Sequence, residues 1–328
     1  MEELKSRILG TGSSLPEKVL TNADLEKMVD TSDEWITTRT GIKERHIARE
    51  DQALSDFAFL AGKNALEMAE VKPEELDLVL LATVTPDQPI PATSCTVQHK
   101  LGAVNAAAFD FQAGCTGFVY GLSIADKYIK AGEAKKILLI GGEVLSKITD
   151  YQDRATCILF GDGCGAVVLS AEKGDKGILS TSIHSDGSMA DFIEMPAGGS
   201  KIPASIDSLE KRLHFVKMKG NETFKVAVRR IEGACREALS KAQVPPEKVR
   251  WFIPHQANLR IINAVAERLG WPPETFVINI DRVGNTSAGS IPIALDEAVR
   301  ENKVKDNDIL AFSAFGAGLT WGAAVIRW

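Results

Sequence analysis

The chain has 328 residues, 45% of them hydrophobic and 25% charged, with a formal net charge of −6. That length suits about two domains or one duplicated unit, and the composition is that of a globular protein rather than a disordered or fibrous one. The negative charge and the lack of a long basic run argue against a nucleic-acid partner, whose phosphates need basic side chains to neutralise them.

The first residues, MEELKSRILGTGSSLPEKVL, carry no long apolar run, so neither a secretory signal nor an anchor is expected there and the cytosol is the expected compartment. In TSDEWITTRTG, Thr31 and Glu34 have the spacing of a helix capping box, with Trp35 turned to the core. Leu78 to Ala82 (LVLLA) is a short apolar run of buried-strand type. A strand from Ala106 to Phe111 leads through the small residues Ala113-Gly114-Cys115-Thr116-Gly117 into a helix from Thr116 to Ala131, and a strand follows at Ile137 to Ile140. GDGCG at Gly161 to Gly165 does not open a helix, so it reads as a hairpin turn rather than a phosphate cradle, and GAVVLS closes this half as a strand. Ser185 to Lys219 is polar and carries Gly, Pro and Ser, as expected of a surface excursion with short elements. Beyond it lie a strand at Val249 to Pro254, a helix from Thr286 to Glu301, and strands at Ile309 to Phe312 and in GAAVIRW. The uncharged run Ile309 to Ile326 reaches the lower length of a membrane span, but Gly316, Ala317 and Gly318 interrupt it, so strand, turn and strand is the reading.

These elements repeat. ALEMAEVKPEELD from Ala65 lies over ALSKAQVPPEKVR from Ala238, and FDFQAGCTG from Phe109 matches INIDRVGNTS from Ile278, which aligns Cys115 with Asn285. The repeat divides the chain near Gly174 to Gly177, giving halves 1–174 and 175–328. Strands alternating with helices imply an α/β fold with largely parallel sheets covered on both faces. In such sheets ligands bind beyond the carboxyl ends of the strands. Cys115, its counterpart Asn285, and His255, which ends a strand, would then meet across one cleft. A cysteine at a helix amino terminus is favoured as thiolate, the nucleophilic form. The bland readings are a buried apolar Cys115, a core His255 and an Asn285 that starts a helix; the constellation outweighs them. His46, His99, His184 and His214 lack such placement. The five cysteines are odd in number and contain no C-x-x-C, which points to free thiols in a reducing compartment and away from a metal site.

FDFQAGCTGFVYGL, PHQANLRI, GNTSAGSIPIALDEAV and AFGAGLTWGAA resemble β-ketoacyl-acyl carrier protein synthase III, among the thiolase-like condensing enzymes, and the resemblance runs from TGSSLPEKVLTNADL to the last strand. It implies a thiolase-like, internally duplicated five-layer αβαβα fold, usually a homodimer, that condenses an acyl-CoA primer, acetyl-CoA by expectation, with malonyl-acyl carrier protein to initiate fatty-acid synthesis. It implies catalytic roles for Cys115, His255 and Asn285, and an oxyanion hole from the N–H groups of Cys115 and Ala317. It implies CoA contacts at Thr31, Trp35, Arg39, Arg154 and Asn221, and carrier-protein contacts at Gln256, Ala257, Asn258, Leu259, Arg260 and Lys225. It implies an acyl pocket at Ile90 and Phe315, with the loop Gln88 to Pro91 reaching across a dimer. No metal and no permanently bound cofactor is implied; acyl-CoA is a substrate. Ala317 departs from the all-glycine loop of the family and is tolerated as a backbone donor only at negative φ. Arg229, Arg236 and Arg268 extend a candidate basic patch, although Glu232 on the same stripe fits a solvated mixed face equally well. The alternatives are a condensing enzyme or acyltransferase of polyketide or ketone biosynthesis, and a non-catalytic acyl-CoA-binding protein. A hydrolase fits less well, because Ala113 stands where the nucleophile elbow wants glycine.

Overall fold

A computed structural model of the chain describes residues 4–328. The first strand, β1 (Leu4–Ser14), alternates partly and fully buried residues and lies beneath the helix α2 (Leu54–Ala69), which follows the short α1 (Asp33–Thr40). α2 turns Leu54, Phe57, Ala58, Ala61 and Ala65 inward at helical spacing. It sits close because β1 offers glycine there: a Cβ on Gly12 would stand 2.3 Å from the Ala61 carbonyl oxygen.

Next come β2 (Leu78–Ala82), α3 (Thr93–Leu101), β3 (Ala107–Phe111), α4 (Gly117–Lys130), β4 (Lys136–Glu143) and β5 (Gly163–Lys173). All of β2 is buried, as an apolar run covered on both faces should be. The strand order of this sheet is β1-β5-β4-β2-β3, with β2 parallel to β3 and β4, and β5 antiparallel to both β1 and β4.

A second sheet takes β6 (Gly177–Ser185), then, after the helix α5 (Gly220–Ala242), the strand β7 (Val249–Pro254) and, after the helix α6 (Leu259–Leu269), the strands β8 (Ile309–Gly316) and β9 (Thr320–Arg327), in the order β7-β8-β9-β6. α7 (Ser290–Arg300) precedes β8. Between the sheets, α4 and α7 share one core with the inner faces of both, through Phe118, Leu122, Ile291, Leu295, Leu139 and Phe312. The outer face of the first sheet is closed by α2 and Val97 of α3, and that of the second by α5 and α6. The layers are therefore helix, sheet, helix, sheet, helix: the duplicated five-layer αβαβα architecture.

Three expectations need correction. The sheets are mixed rather than largely parallel, because each half ends on strands that double back antiparallel. The segment matching β3 in the second half is no strand: it keeps a single bridge, Phe252 to Phe276, before a short helix at Ile280–Val283. GDGCG is no hairpin turn either; Gly163 already opens β5, and the Asp162 carboxylate accepts the backbone N–H groups of Ala48 and Ser146. The uncharged carboxyl-terminal run forms β8 and β9, and among the described residues no helix is long and apolar enough to cross a membrane. Residues 185–219 hold short elements, a helical turn at Gly187–Phe192, a helix at Ile206–Glu210 and a two-residue strand pair.

Candidate active site

Cys115 lies in the tight turn Gly114–Thr116 that joins β3 to α4. Gly114 has φ +52, and a Cβ there would stand 2.9 Å from the Ala317 nitrogen; one on Gly316 would stand 2.5 Å from the Cys115 nitrogen. Two missing side chains thus let the turn after β8 lie directly against the cysteine, bringing the N–H groups of Cys115 and Ala317 together. The left-handed residues of the chain include Gly318 at φ +135 but not Ala317, so alanine meets the condition a backbone donor sets there. Thr320 holds the two turns in register, with its hydroxyl 2.8 Å from the Ala113 carbonyl and 3.0 Å from that of Ala317.

His255 follows β7, donates its N–H to the Ser313 carbonyl at 2.8 Å and is 6% exposed. Its Nδ1 lies 2.7 Å from Ser290 Oγ, and that oxygen also receives the Gln256 N–H at 3.3 Å. A hydroxyl oxygen that already accepts a proton donor is free to donate its own hydrogen, and Nδ1 is the acceptor in line. The proton of the neutral ring then sits on Nε2. Burial pushes the imidazole down to about 3, so it is uncharged at neutral pH.

Asn285 is pinned by the first half of the chain: its N–H donates to the Leu159 carbonyl at 2.9 Å and its carbonyl accepts from Gly161 at 3.0 Å. Its side-chain Oδ1 accepts the N–H of Ser287 at 2.9 Å, which assigns the amide and turns the donating Nδ2 end away from that contact. Ser287 in turn interacts with the Cys115 sulfur and donates to Glu143 Oε1 at 3.2 Å. One chain of contacts therefore joins Asn285, Ser287 and Cys115, while Ser290, at the head of α7, holds His255. The turns that carry Cys115 and Asn285 pack together, a Cβ on Gly117 standing 3.3 Å from that of Ala288, and His255 is tied to Ser290 on the same segment.

The thiol itself departs from expectation. Cys115 is half-buried by accessibility, yet protein surrounds its sulfur, and that burial pushes the thiol up to about 11. The nearby Ser287 hydroxyl and the amino end of α4 pull the other way without reversing it. At neutral pH the resting group is therefore a thiol. Glu143, at the end of β4, is fully buried and accepts from the Thr83 hydroxyl, the Val84 and Thr85 N–H groups and the Thr85 hydroxyl. Burial outweighs these bonds and raises its carboxyl to about 7.

Further out, the guanidinium groups of Arg39 and Arg154 both lie over the Trp35 ring, 5.3 and 4.9 Å from its centre. Ser32, not Thr31, caps α1 by accepting the Trp35 N–H, and the Thr31 hydroxyl is buried without a partner. The capping-box reading of Thr31 and Glu34 is therefore replaced. Asn221, exposed in the first turn of α5, makes no hydrogen bond or ring contact with Trp35, Arg39 or Arg154. Gln256 is 0% exposed and spends its amide on the Pro254 and Val277 carbonyls and the Asn279 N–H, so its side chain cannot meet a carrier protein. Asn258 caps α6 and donates to the Arg39 carbonyl, and Leu259 fills the space left by Gly41, so both serve to dock α6 on α1, with Ala257 half-buried between them and His255. Arg260, over the Phe224 ring, and Lys225 remain exposed, whereas Arg236 and Arg268 both pair with Glu232. Ile90 is 86% exposed. Phe315 is buried in the core beneath α5 and α6, immediately before the glycine that abuts Cys115.

Two family models match the chain: 3-oxoacyl-[acyl-carrier-protein (ACP)] synthase III over residues 109–187, and the carboxyl-terminal region of the same synthase over residues 239–328. A β-ketoacyl-[acyl-carrier-protein] synthase III of Caldanaerobacter subterraneus subsp. tengcongensis is 54% identical over 100% of this chain and 99% of its own length. The chain belongs to the β-ketoacyl-[acyl-carrier-protein] synthase III family. Among solved structures, the synthase III of Aquifex aeolicus VF5 superposes with a TM-score of 0.91 at 52% identity, covering 98% of this chain and 100% of that one. The priming β-ketosynthase of the R1128 polyketide pathway is similar at 35% identity, with a TM-score of 0.92 over 99% of this chain and 97% of that one. The protein is thus an acyl-transferring condensing enzyme that initiates fatty-acid synthesis.

Within this family frame, sequence reasoning missed four residues of the site. Ser287, Ser290 and Thr320 carry no spacing that separates them from any other small polar residue in a turn. Glu143 did leave a signal, a carboxylate ending the apolar run KILLIGG, where a charge is costly unless it is used.

Proposed function

We propose that the enzyme acylates Cys115 from acyl-CoA, acetyl-CoA being the primer, and condenses that acyl group with malonyl-acyl carrier protein to release a 3-oxoacyl-acyl carrier protein. The sulfur attacks the thioester carbonyl, the N–H groups of Cys115 and Ala317 receive the negative oxygen, the bond from that carbon to the CoA sulfur breaks, and the thiol's proton leaves with CoA as its own thiol. Each such donor contributes about 3 kcal/mol in comparable sites. Malonyl thioester then replaces CoA. Its carboxylate leaves as carbon dioxide, and the electron pair moves into an enolate whose oxygen accepts hydrogen bonds from His255 Nε2 and Asn285 Nδ2. The enolate carbon attacks the Cys115 thioester, and the cysteine sulfur is expelled.

The observation that carries this reading is the close approach of the Cys115 and Ala317 turns, beside a neutral imidazole and an amide whose other polar atoms are held by Ser290 and Ser287. Such donors suit an anion that exists only during the reaction. Acyl-CoA is a substrate, and these steps need no resident cofactor. Trp35 with Arg39 and Arg154 suits an adenine ring and its phosphates, since a purine can take the place of one guanidinium over the indole. Arg260 and Lys225 are the exposed cations for an acidic carrier protein. The edge strand β3 with the exposed Ile90 and Val104 suits a homodimer, and five free thiols fit a reducing cytosol. Greater identity to the fatty-acid relatives than to the polyketide priming enzyme favours the fatty-acid reading.

The test is a division of labour. Cys115→Ala should lose acyl transfer from acetyl-CoA, seen by intact mass, whereas His255→Ala and Asn285→Ala should keep it and lose carbon dioxide release from malonyl-acyl carrier protein by at least about a hundredfold. Acyl transfer without carbon dioxide release in the unaltered enzyme would instead indicate a simple acyltransferase.

A further inference from the structure

We propose that Asp150, held by Arg212 and Lys217, is a positioning residue for Arg154, so that the segment between β6 and α5 sets how tightly the enzyme holds the nucleotide end of acyl-CoA. The inference deepens the proposed function and rests on its reading of Trp35, Arg39 and Arg154 as the CoA site. Arg154 reaches that site from a helix of four residues, Arg154–Cys157, too short to hold its place by its own hydrogen bonds. Its guanidinium donates to the Asp30 carbonyl at 2.8 Å while lying over the Trp35 ring, so its aim depends on what fixes the chain that enters the helix.

That chain is fixed by Asp150, which is 3% exposed. Its Oδ1 accepts the Gln152 N–H at 2.9 Å and its carbonyl accepts the Asp153 N–H at 2.9 Å. Asp153 then caps the helix, its carboxylate accepting the Ala155 N–H at 3.0 Å and the Thr156 hydroxyl at 2.9 Å. One buried residue thus closes the turn from which Arg154 projects. The Asp150 carboxylate is itself gripped from outside the turn. Arg212 donates to Oδ2 through Nε at 3.0 Å and to Oδ1 through Nη2, and Lys217 reaches Oδ2 at 3.3 Å. A two-pronged guanidinium contact fixes the orientation of a carboxylate as well as its place. Removing such partners leaves a buried charge with neither water nor cation around it, so the turn cannot keep its geometry without cost. The Arg212 guanidinium also lies 5.0 Å from the centre of the Phe215 ring, and the Val216 N–H donates to the Ile148 carbonyl at 2.9 Å, which lays residues 212–217 along residues 148–150. The other use of two cations near a CoA site is direct contact with its phosphates. Arg212 spends Nε and Nη2 on Asp150, which favours the latch.

The test measures initial rates of condensation at fixed malonyl-acyl carrier protein. The donor is acetyl-CoA or acetyl-pantetheine, which carries the same thioester without the nucleotide. The proteins are the full-length enzyme, Arg212→Asn, Asp150→Asn, Arg154→Ala and the double variant of Arg212→Asn with Arg154→Ala. Arg212 sits at φ +54, which asparagine accepts more readily than most residues, so Arg212→Asn removes the pair, leaves the turn, and tests the latch even where Asp150→Asn fails to fold. Arg212→Asn and Asp150→Asn should each raise KM for acetyl-CoA by about fivefold or more, with kcat and the rate from acetyl-pantetheine unchanged. In the Arg154→Ala background, Arg212→Asn should add no further rise. A fall in kcat shared by both thioesters, with KM unmoved, would make the cluster merely structural and overturns the proposal. Asp150→Asn frees both cations, so direct phosphate binding predicts a lower KM there; that result overturns the latch, as does a rise in the double variant equal to the product of the single ones. A raised KM in Arg154→Ala with none in Arg212→Asn keeps the CoA site and removes the latch, whereas an unchanged KM in Arg154→Ala removes the CoA reading and the proposal with it.

Discussion

At the scale of single residues, the site depends on groups that stay uncharged. His255 is held neutral by burial, and this has a cost in acid. Its folded pKa, about 3, lies below the 6.5 of the unfolded chain, so the unfolded state binds more protons as the pH falls through that window. Stability contributed by the neutral ring is complete above pH 6.5 and is lost on the way down to pH 3, by an amount on the order of a few kcal/mol. Urea midpoints should accordingly drop less between pH 7 and pH 5 in His255→Asn than in the unaltered protein; equal drops would mean that the ring is not kept neutral by the fold. Ser290 fixes which nitrogen carries the proton. Ser290→Ala should leave acylation of Cys115 intact and slow condensation by about tenfold, because the ring then divides its time between tautomers. The sequence revealed Cys115 and His255 because a thiol after a strand and an imidazole at a strand end are unusual. It revealed nothing of Ser287 and Ser290, whose roles come from a left-handed turn and a hydroxyl orientation that no spacing encodes.

At the scale of elements, glycines set how near the parts come. Gly12→Ala would place a methyl group against the backbone of α2, and overpacking of this kind costs about 1 to 3 kcal/mol. Thermal unfolding should shift down, while the folded fraction still takes an acyl group from CoA; unchanged stability would show that β1 and α2 can move apart freely. Gly316→Ala should act oppositely, with acylation lost by at least about tenfold, since the added carbon meets the Cys115 backbone itself. The strands Leu78–Ala82 and Val249–Pro254 were legible to the residue, being short apolar runs between turn signals. Strand direction was not legible, because an apolar run reads the same in a parallel or antiparallel neighbourhood, and that is why the sheets proved mixed. Gln256 misled for a similar reason: adjacency to His255 in sequence says nothing about whether a side chain points out to a partner or in to the core.

At the scale of the whole molecule, the duplication is what creates the site. The turn after β3 supplies the sulfur, the turn after β8 supplies the Ala317 nitrogen, and the second half supplies His255 and Asn285, the latter anchored on residues of the first half. The internal repeat announced this pairing by aligning Cys115 with Asn285, even though the strand before Asn285 has shrunk to one bridge. A homodimer through β3 would extend the same logic outward, and Ile90→Asp should raise its dissociation constant by about tenfold or more in sedimentation measurements. On the proposed mechanism a covalent acyl group on Cys115 is consumed by decarboxylative condensation. Its most direct test is a single-turnover chase: enzyme loaded with labelled acetyl-CoA, freed of CoA, mixed with malonyl-acyl carrier protein and followed by peptide mapping, with carbon dioxide measured in step. Label should leave the Cys115 peptide for the carrier protein as one carbon dioxide appears per acyl group transferred. Label on a different residue, or its departure to water or carrier protein without carbon dioxide, would contradict it.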